Sequence, residues 1–221
     1  MEIPVAPDGL TAEWLTDALR TSGALTHARV TALETQLLGH VKGTTGQLAT
    51  LRLTYDRDEV HAPRSLIAKF SAPDPQARAL IHGMGFYERE VRFYQQLAGQ
   101  SRLSTPHCYF SAFDPVEGIT LLLLENLEQA RNGNWIAGCS VAEAELAVRA
   151  LAIFHAVWWQ HPQLEEKRWL ELRSLVSVEQ APGIFQQAWQ PFLGKIGTLA
   201  SAEILQVGEW LRRLAAFRQA A

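Results

Sequence analysis

The sequence lacks several features that would place it in a common class of protein. It has only two cysteines, Cys108 and Cys139, too few for a disulfide framework or a cysteine-based metal site. Its longest apolar run, residues 119–124, is far too short to span a bilayer. The net charge of −3 gives no basic excess for nucleic acid, and residues 1–8 do not have the pattern of a signal peptide. We therefore expect a cytoplasmic protein that binds neither nucleic acid nor a membrane.

Aspartate is missing from nearly half of the chain. All six aspartates lie at or before Asp114, and residues 115–221 contain none. Chemistry that takes an aspartate base or an aspartate metal ligand from the second half is therefore excluded for these residues. The sequence offers no candidate catalytic residue and no candidate metal ligand.

Two kinds of sequence pattern meet near residue 127. Residues 1–127 predict a small, mostly antiparallel sheet with helices, and residues 128–221 predict helices only. The fold class expected is α+β. The predicted helices are 11–22, 74–98 with an interruption at Gly83 and Gly85, 140–160, 183–194 and 201–219; the predicted strands are 30–38, 48–55, 65–70, 107–113 and 119–124.

A glycine-rich segment, residues 39–46, lies between the first two predicted strands. Glycines such as Gly43 and Gly46 let a backbone approach phosphates closely, with N–H groups aimed at the charge. The spacing matches neither a Walker A motif nor a dinucleotide-binding fingerprint. An ordinary glycine-rich hairpin loop is the alternative.

A lysine and a glutamate follow this loop in the order that a phosphate site would need. Lys69 ends an otherwise apolar predicted strand, where its charge could meet the α- and β-phosphates of a nucleotide. Glu90, on the next helix, could pair with Lys69 and hold it. The alternatives are a solvent-facing lysine on an edge strand, and Glu88 as the partner.

The apolar strand 119–124 continues into Glu125-Asn126-Leu127. A purine could use the carbonyl of Glu125 and the N–H of Leu127, with Leu124 behind it. An ordinary central strand is the alternative. Because loop, lysine, glutamate and connector occur in this order, residues 39–127 predict an ATP-binding small lobe.

The chain resembles the aminoglycoside phosphotransferase/choline kinase superfamily of small-molecule kinases, and within it the ecdysteroid-kinase-like branch. The segments that carry this resemblance are 86–94, 105–109, 121–127 and 150–159, with Pro162 and Trp169-Leu170. It implies a protein-kinase-like fold, with a nucleotide-binding N-terminal lobe (residues 1–127), a hinge at Glu125–Leu127 and a partial helical lobe (residues 128–221). Asn126 stands where the family usually has aspartate. His155 and its neighbouring tryptophans are expected to be packing groups.

The family pattern continues into a His-Gly-Asp…Asn loop and a metal-binding aspartate, and this sequence contains neither. The resemblance therefore implies a truncated family member, which is expected to be inactive as given. Its cofactor would be ATP, with Mg²⁺ only where the missing part is present, and its substrate an unidentified small-molecule hydroxyl. The alternative is a non-catalytic nucleotide-binding or protein-interaction module. Exposed apolar helix faces predict self-association.

Overall fold

A computed structural model describes residues 1–38, 45–131, 133, 136–170, 181–196 and 198–219, without the side chains of residues 181–182 and 214–219. The chain forms two compact units, Met1–Leu172 and Arg173–Ala221. The first unit contains the sheet, so the predicted lobe boundary at residue 127 stays a prediction.

The first unit is built on a five-stranded antiparallel sheet in the order β1-β2-β3-β5-β4. Its strands are β1 (Val30–Leu37), β2 (Gly46–Tyr55), β3 (Ser65–Ser71), β4 (Cys108–Asp114) and β5 (Ile119–Glu125). Its helices are α1 (Ala12–Thr21), α2 (Pro75–Gly83), α3 (Phe86–Gln96) and α4 (Val141–Trp158). The second unit contains α5 (Ala181–Ile196) and α6 (Ala202–Gln219). The expected α+β class is confirmed.

Alternate residues of β3 and β5 serve two different cores. Leu66, Ala68 and Phe70 point into the larger core, which includes α1. The smaller core, on the α3 side, contains Val91 of α3, Leu122 and Leu124 of β5, and the partly buried Ile67. Because successive side chains of a strand point to opposite faces, a central strand covered on both sides is apolar throughout. This explains why β5 is apolar from Ile119 to Leu124 except at Thr120.

The carboxylate of Glu59 holds the loop that leads into β1. The side chain of Glu59 accepts hydrogen bonds from the backbone N–H groups of Thr26, His27 and Ala28, at 2.5, 3.0 and 2.7 Å. These amides, that of Ala28 first, lower the pKa of Glu59 from 4.5 to about 2. The loop before the sheet is therefore held by an ionised glutamate.

The helix expected over residues 74–98 is two helices. Asp74 caps α2 by accepting from the Ala77 amide at 2.7 Å, as its position before Pro75 predicted. Gly85 then adopts φ 71°, a left-handed conformation that glycine tolerates best, and α3 starts in a new direction. A separate 3-10 turn, Ala98–Gln100, follows α3, so the predicted end near residue 98 was slightly late.

The later helices follow the predicted pattern with one correction. Ser140 and Glu143 form the predicted capping box at the start of α4. α5 is longer than the predicted 183–194: it runs from Ala181 through Pro191 to Ile196. The rings of Phe185, Trp189 and Phe192 stack along one face of α5, and their packing spans the proline. Within the described ranges, no helix has both the length and the apolar character needed to cross a bilayer.

Candidate functional site

Lys69 lies on β3, the middle strand of the sheet. The alternative of an edge-strand lysine is therefore wrong. Lys69 is opposite Leu48 of β2 and Leu122 of β5, on the face that α3 covers. A central strand restricts the lysine stem while its ammonium remains partly accessible, with 25% of the side chain exposed. This arrangement presents a positioned positive charge at the surface of a rigid sheet.

Glu90 of α3 pairs with Lys69, with 2.5 Å between Oε1 and Nζ. Glu88, the competing candidate, instead pairs with Arg92 on the same helix at 2.8 Å. The ammonium of Lys69 has three N–H groups, and among the described residues only Glu90 accepts one. Within the described ranges, its other two N–H groups have no protein acceptor. The predicted pair forms; its role in nucleotide binding stays a prediction.

Several contacts place α3 on the sheet. At its start, the buried Tyr87 hydroxyl accepts the Ala72 amide at 2.8 Å. In its middle, Val91 packs in the core with Leu122 and Leu124. Near its end, Gln95 Nε2 donates to the Ser111 hydroxyl of β4 at 3.2 Å. Glu90 therefore projects from a helix that is fixed along its length.

Apolar side chains lie beside Lys69 on the same face of the sheet. Ile67 is two residues before it on β3, Leu48 is opposite it on β2, and Leu124 is opposite Ile67 on β5. Leu124 is buried, Ile67 is half-buried and Leu48 is exposed. Together they form an apolar wall next to a cation. Leu48 and Ile67 did not follow from sequence reasoning, although their strand register would have placed them there.

The connector after β5 is ordered by side-chain bonds. The carboxylate of Glu125 accepts the His107 amide at 3.1 Å, and its own amide donates to the His107 carbonyl at 2.8 Å. The side-chain amide Nδ2 of Asn126 donates to the Ser65 hydroxyl at 2.8 Å, and this bond anchors the connector to β3. The N–H of Leu127 donates to no group in the described part of the chain. An exposed backbone donor therefore sits three residues beyond Leu124.

Only one of the two candidate loop glycines lies within the described residues. Gly43 is outside the described residues, as is most of the glycine-rich segment. Gly46 is not in the loop but opens β2, paired with Ser71 of β3. A side chain at Gly46 would collide with the Phe70 carbonyl. The glycine is thus required for close strand pairing, which is a structural role that the sequence reasoning did not foresee.

Burial raises the pKa values of two side chains close to the Lys69–Glu90 pair. Burial raises the pKa of the Cys108 thiol from 9.0 to about 11, so this cysteine is a protonated packing group at neutral pH. Burial, and then the charge of Glu90, raise the pKa of Tyr94. The carboxylate of Glu90 thus lies close enough to Tyr94 and Cys108 for its charge to raise their pKa values.

A metal-binding cluster and a cavity are two other features that could mark a site. Within the described part of the chain, neither coincides with the predicted site residues. Within the described ranges, no group of three or more histidine, cysteine, aspartate or glutamate side chains could hold a metal ion. An open cavity of about 520 Å³ lies between the N-terminal residues and the β4–β5 turn, lined by Met1, Ile3, Phe113 and Pro115 among others. It contains none of the predicted site residues.

The residues singled out in the first long helix are only partly packing groups. Trp158 is buried and its ring lies against His161, with centroids 5.1 Å apart. His155 and Trp159 are exposed. A packing role is therefore visible for Trp158 alone.

The antiparallel sheet, the lysine of its central strand and the helix-borne glutamate define a kinase-like α+β protein. A family model described as the ecdysteroid kinase-like family matches residues 43–212, and the chain belongs to that family. The resemblance to the aminoglycoside phosphotransferase/choline kinase-like superfamily is thereby confirmed. Searches of curated proteins and of solved structures gave no significant match. The family implies small-molecule kinase-like activity.

Proposed function

We propose that the chain binds ATP on the α3 side of its sheet. Lys69, held by Glu90, would contact the α- and β-phosphates, and the glycine-rich segment with Gly43 would cover them. The purine would lie against Leu48, Ile67 and Leu124. The Glu125 carbonyl and the Leu127 amide would bind its edge.

The observation that carries this proposal is the Lys69–Glu90 pair on the central strand. A partly exposed pair of this kind contributes little to stability, since surface ion pairs contribute about 0–1 kcal/mol. As a phosphate-binding device it has a clear use, because Glu90 orients the ammonium while leaving two donors for the ligand. The apolar wall beside it supports the same assignment.

In the family reaction that we propose for the complete site, a substrate hydroxyl oxygen attacks the γ-phosphorus of ATP. The bond from that phosphorus to the β,γ-bridging oxygen breaks, ADP leaves with the electron pair, and the hydroxyl proton passes to a base. Residues 115–221 contain no aspartate for that base or for a metal. We therefore propose that residues 1–221 alone bind nucleotide with turnover near background.

Thermal unfolding in increasing ATP tests the binding. A ligand at a hundredfold excess over its Kd stabilises the folded state by about 2.7 kcal/mol. We expect a concentration-dependent shift in Tm for the wild type, its loss in Lys69→Ala, and its retention in Lys195→Ala, which makes the same change on α5. No shift in the wild type would reject the nucleotide site. Mg²⁺-dependent phosphorylation of an alcohol, abolished by Lys69→Ala, would contradict the expected lack of turnover.

A second proposal, a protein-interaction module that self-associates, rests on α4. Most of its side chains are exposed, including the apolar Val141 at 87%, Leu146 at 70% and Leu151 at 49%. Apolar faces of this kind mark contact surfaces. We expect light scattering at tens of micromolar to show dimers or larger species, and Leu146→Glu to reduce them. A wild-type monomer under these conditions would reject self-association.

A further inference from the structure

Gln96, the last residue of α3, joins that helix to a distant part of the first unit. Its side-chain oxygen Oε1 accepts two hydrogen bonds, from Trp169 Nε1 at 3.2 Å and from Lys167 Nζ at 3.3 Å. All three side chains are half-buried. An amide oxygen has two lone pairs, so these two donors complete its hydrogen bonding. We name these three residues the Gln96 clasp.

The two donors are held by local backbone structure. After α4, the chain forms the 3-10 turns Pro162–Leu164 and Arg168–Leu170. Between them, the Lys167 amide donates to the Leu164 carbonyl at 3.1 Å, and the Leu170 amide donates to the Lys167 carbonyl at 2.9 Å. The spacing of Lys167 and Trp169 is thus set by the turns, and both donors reach the same oxygen. Gln96 is held by a shaped segment rather than by one mobile side chain.

We infer that the Gln96 clasp positions Glu90 for its contact with Lys69. This inference rests on the proposed nucleotide site. Glu90 and Gln96 are six residues apart on one helix, about 9 Å along its axis. A helix moves as a rigid rod over such a distance, so a shift at Gln96 is transmitted to the Glu90 carboxylate.

The clasp therefore makes Gln96 a positioning residue and couples residues 162–170 to the nucleotide site. Coupling of this kind is reciprocal: whatever releases Trp169 and Lys167 weakens the hold of Glu90 on Lys69, and a bound nucleotide favours the closed clasp. Side chains this far apart, with no shared partner, normally act independently in unfolding. If the clasp positions Glu90, substitutions at Gln96 and Glu90 should have non-additive effects on the free energy of unfolding.

A double-mutant cycle in urea unfolding measures this signature without any nucleotide. Gln96→Ala removes the acceptor of both donors, and Glu90→Gln removes the charge that holds Lys69. We expect the double variant's unfolding equilibrium constant to differ at least threefold from the product expected for independent changes. Gln96→Glu keeps an acceptor for both donors, so its cycle with Glu90→Gln should be additive. Gln100→Ala makes the same change beyond the end of α3, in the turn Ala98–Gln100, and should act independently of Glu90→Gln.

The same variants are then titrated with ATP. We expect Gln96→Ala to bind about fivefold more weakly than the wild type, and Gln96→Glu to bind like it. Trp169→Phe, which keeps an aromatic ring but loses one donor, should give an intermediate result and replaces Gln96→Ala if that variant does not fold. An additive cycle for Gln96→Ala with Glu90→Gln, or equal coupling for Gln100→Ala, overturns the clasp. Coupling in the cycle without ATP binding by the wild type supports the clasp and rejects the nucleotide site.

Discussion

Lys69 and Glu90 are 21 residues apart in sequence, and their charged atoms Nζ and Oε1 lie 2.5 Å apart. The lysine comes from the middle strand of the sheet and the glutamate from the helix that covers it. Either side chain alone would be an ordinary solvated surface group. Together they fix one charge at a defined place, and the first prediction tests what that charge is for.

Glu90→Gln keeps the size of the side chain and removes its negative charge. Since the pair is partly exposed, we expect a change in unfolding free energy below about 1 kcal/mol. ATP affinity should fall about tenfold, because the lysine loses its charge-assisted bond and its orientation. Isothermal calorimetry and urea unfolding measure the two effects.

Glu88→Gln is the matched control for this variant. It makes the same change two residues earlier on α3, where the glutamate pairs with Arg92. We expect ATP affinity to be unchanged. If both variants weaken binding equally, the effect belongs to the overall charge of the helix and not to the Lys69 contact.

Glu59→Gln tests the carboxylate that closes the loop before β1. The pKa of Glu59 is lowered from 4.5 in its free state to about 2 in the fold by the amides of Ala28, Thr26 and His27. A depressed folded-state pKa means that the stabilisation is complete above the free pKa and is lost as the pH falls toward the folded one. The difference in Tm between wild type and Glu59→Gln should therefore be constant above about pH 5.5.

Between the free and folded pKa values of Glu59, 4.5 and about 2, that difference should shrink. Differential scanning fluorimetry from acid to neutral pH would follow it. A difference in Tm that stays the same at every pH would show that the carboxylate's charge does not hold the loop.

Much of the fold could be predicted because it depends on periodic patterns. Alternation in β2 and the apolar run of β5 predicted strands, and the Ser140–Glu143 spacing predicted a helix start. The Lys69–Glu90 pair could be predicted from the order of the elements, since a helix after the third strand covers the face on which the lysine lies. Patterns of this kind repeat over several residues, so one substitution does not hide them.

Contacts between single polar side chains could not be predicted in the same way. The bonds of Glu59 to the residue 26–28 amides, of Asn126 to Ser65 and of Gln96 to Trp169 join residues far apart in sequence. Each uses a common residue type with no periodic signature. The break between α2 and α3 was visible as two glycines, but only the backbone shows that Gly85 adopts a left-handed conformation. Sequence reasoning thus found the Lys69–Glu90 pair and missed these single polar contacts.

Asn126 ties the connector after β5 to the central strand β3. Its side chain donates to the Ser65 hydroxyl, so Asn126→Ala should lower the unfolding free energy by about 1 kcal/mol. Asn126→Asp should lower the unfolding free energy by less than Asn126→Ala, because the serine hydroxyl can turn and donate to the new carboxylate. Urea unfolding of the two variants measures both values. A larger loss for aspartate than for alanine would mean that the nearby Glu125 and Glu128 repel the new charge by more than the hydrogen bond contributes.

Gly208 of α6 provides a test of packing in the second unit. A methyl group at this position would overlap the ring of Trp189, which is buried and stacked between Phe185 and Phe192. Alanine favours a helix over glycine by about 1 kcal/mol, but the overlap opposes this gain. Because the stacked ring has little room to move, we expect Gly208→Ala to lower the unfolding free energy by about 1–3 kcal/mol.

Gly194→Ala on α5 is the control, since nothing lies within 4 Å of the added group. It should stabilise the unit by about 0.5–1 kcal/mol through helix propensity alone. Circular dichroism during urea unfolding compares the two variants, and opposite signs are the expected result. If both variants stabilise the protein, the ring of Trp189 can leave its stack at little cost, and the contact between α5 and α6 is looser than the overlap implies.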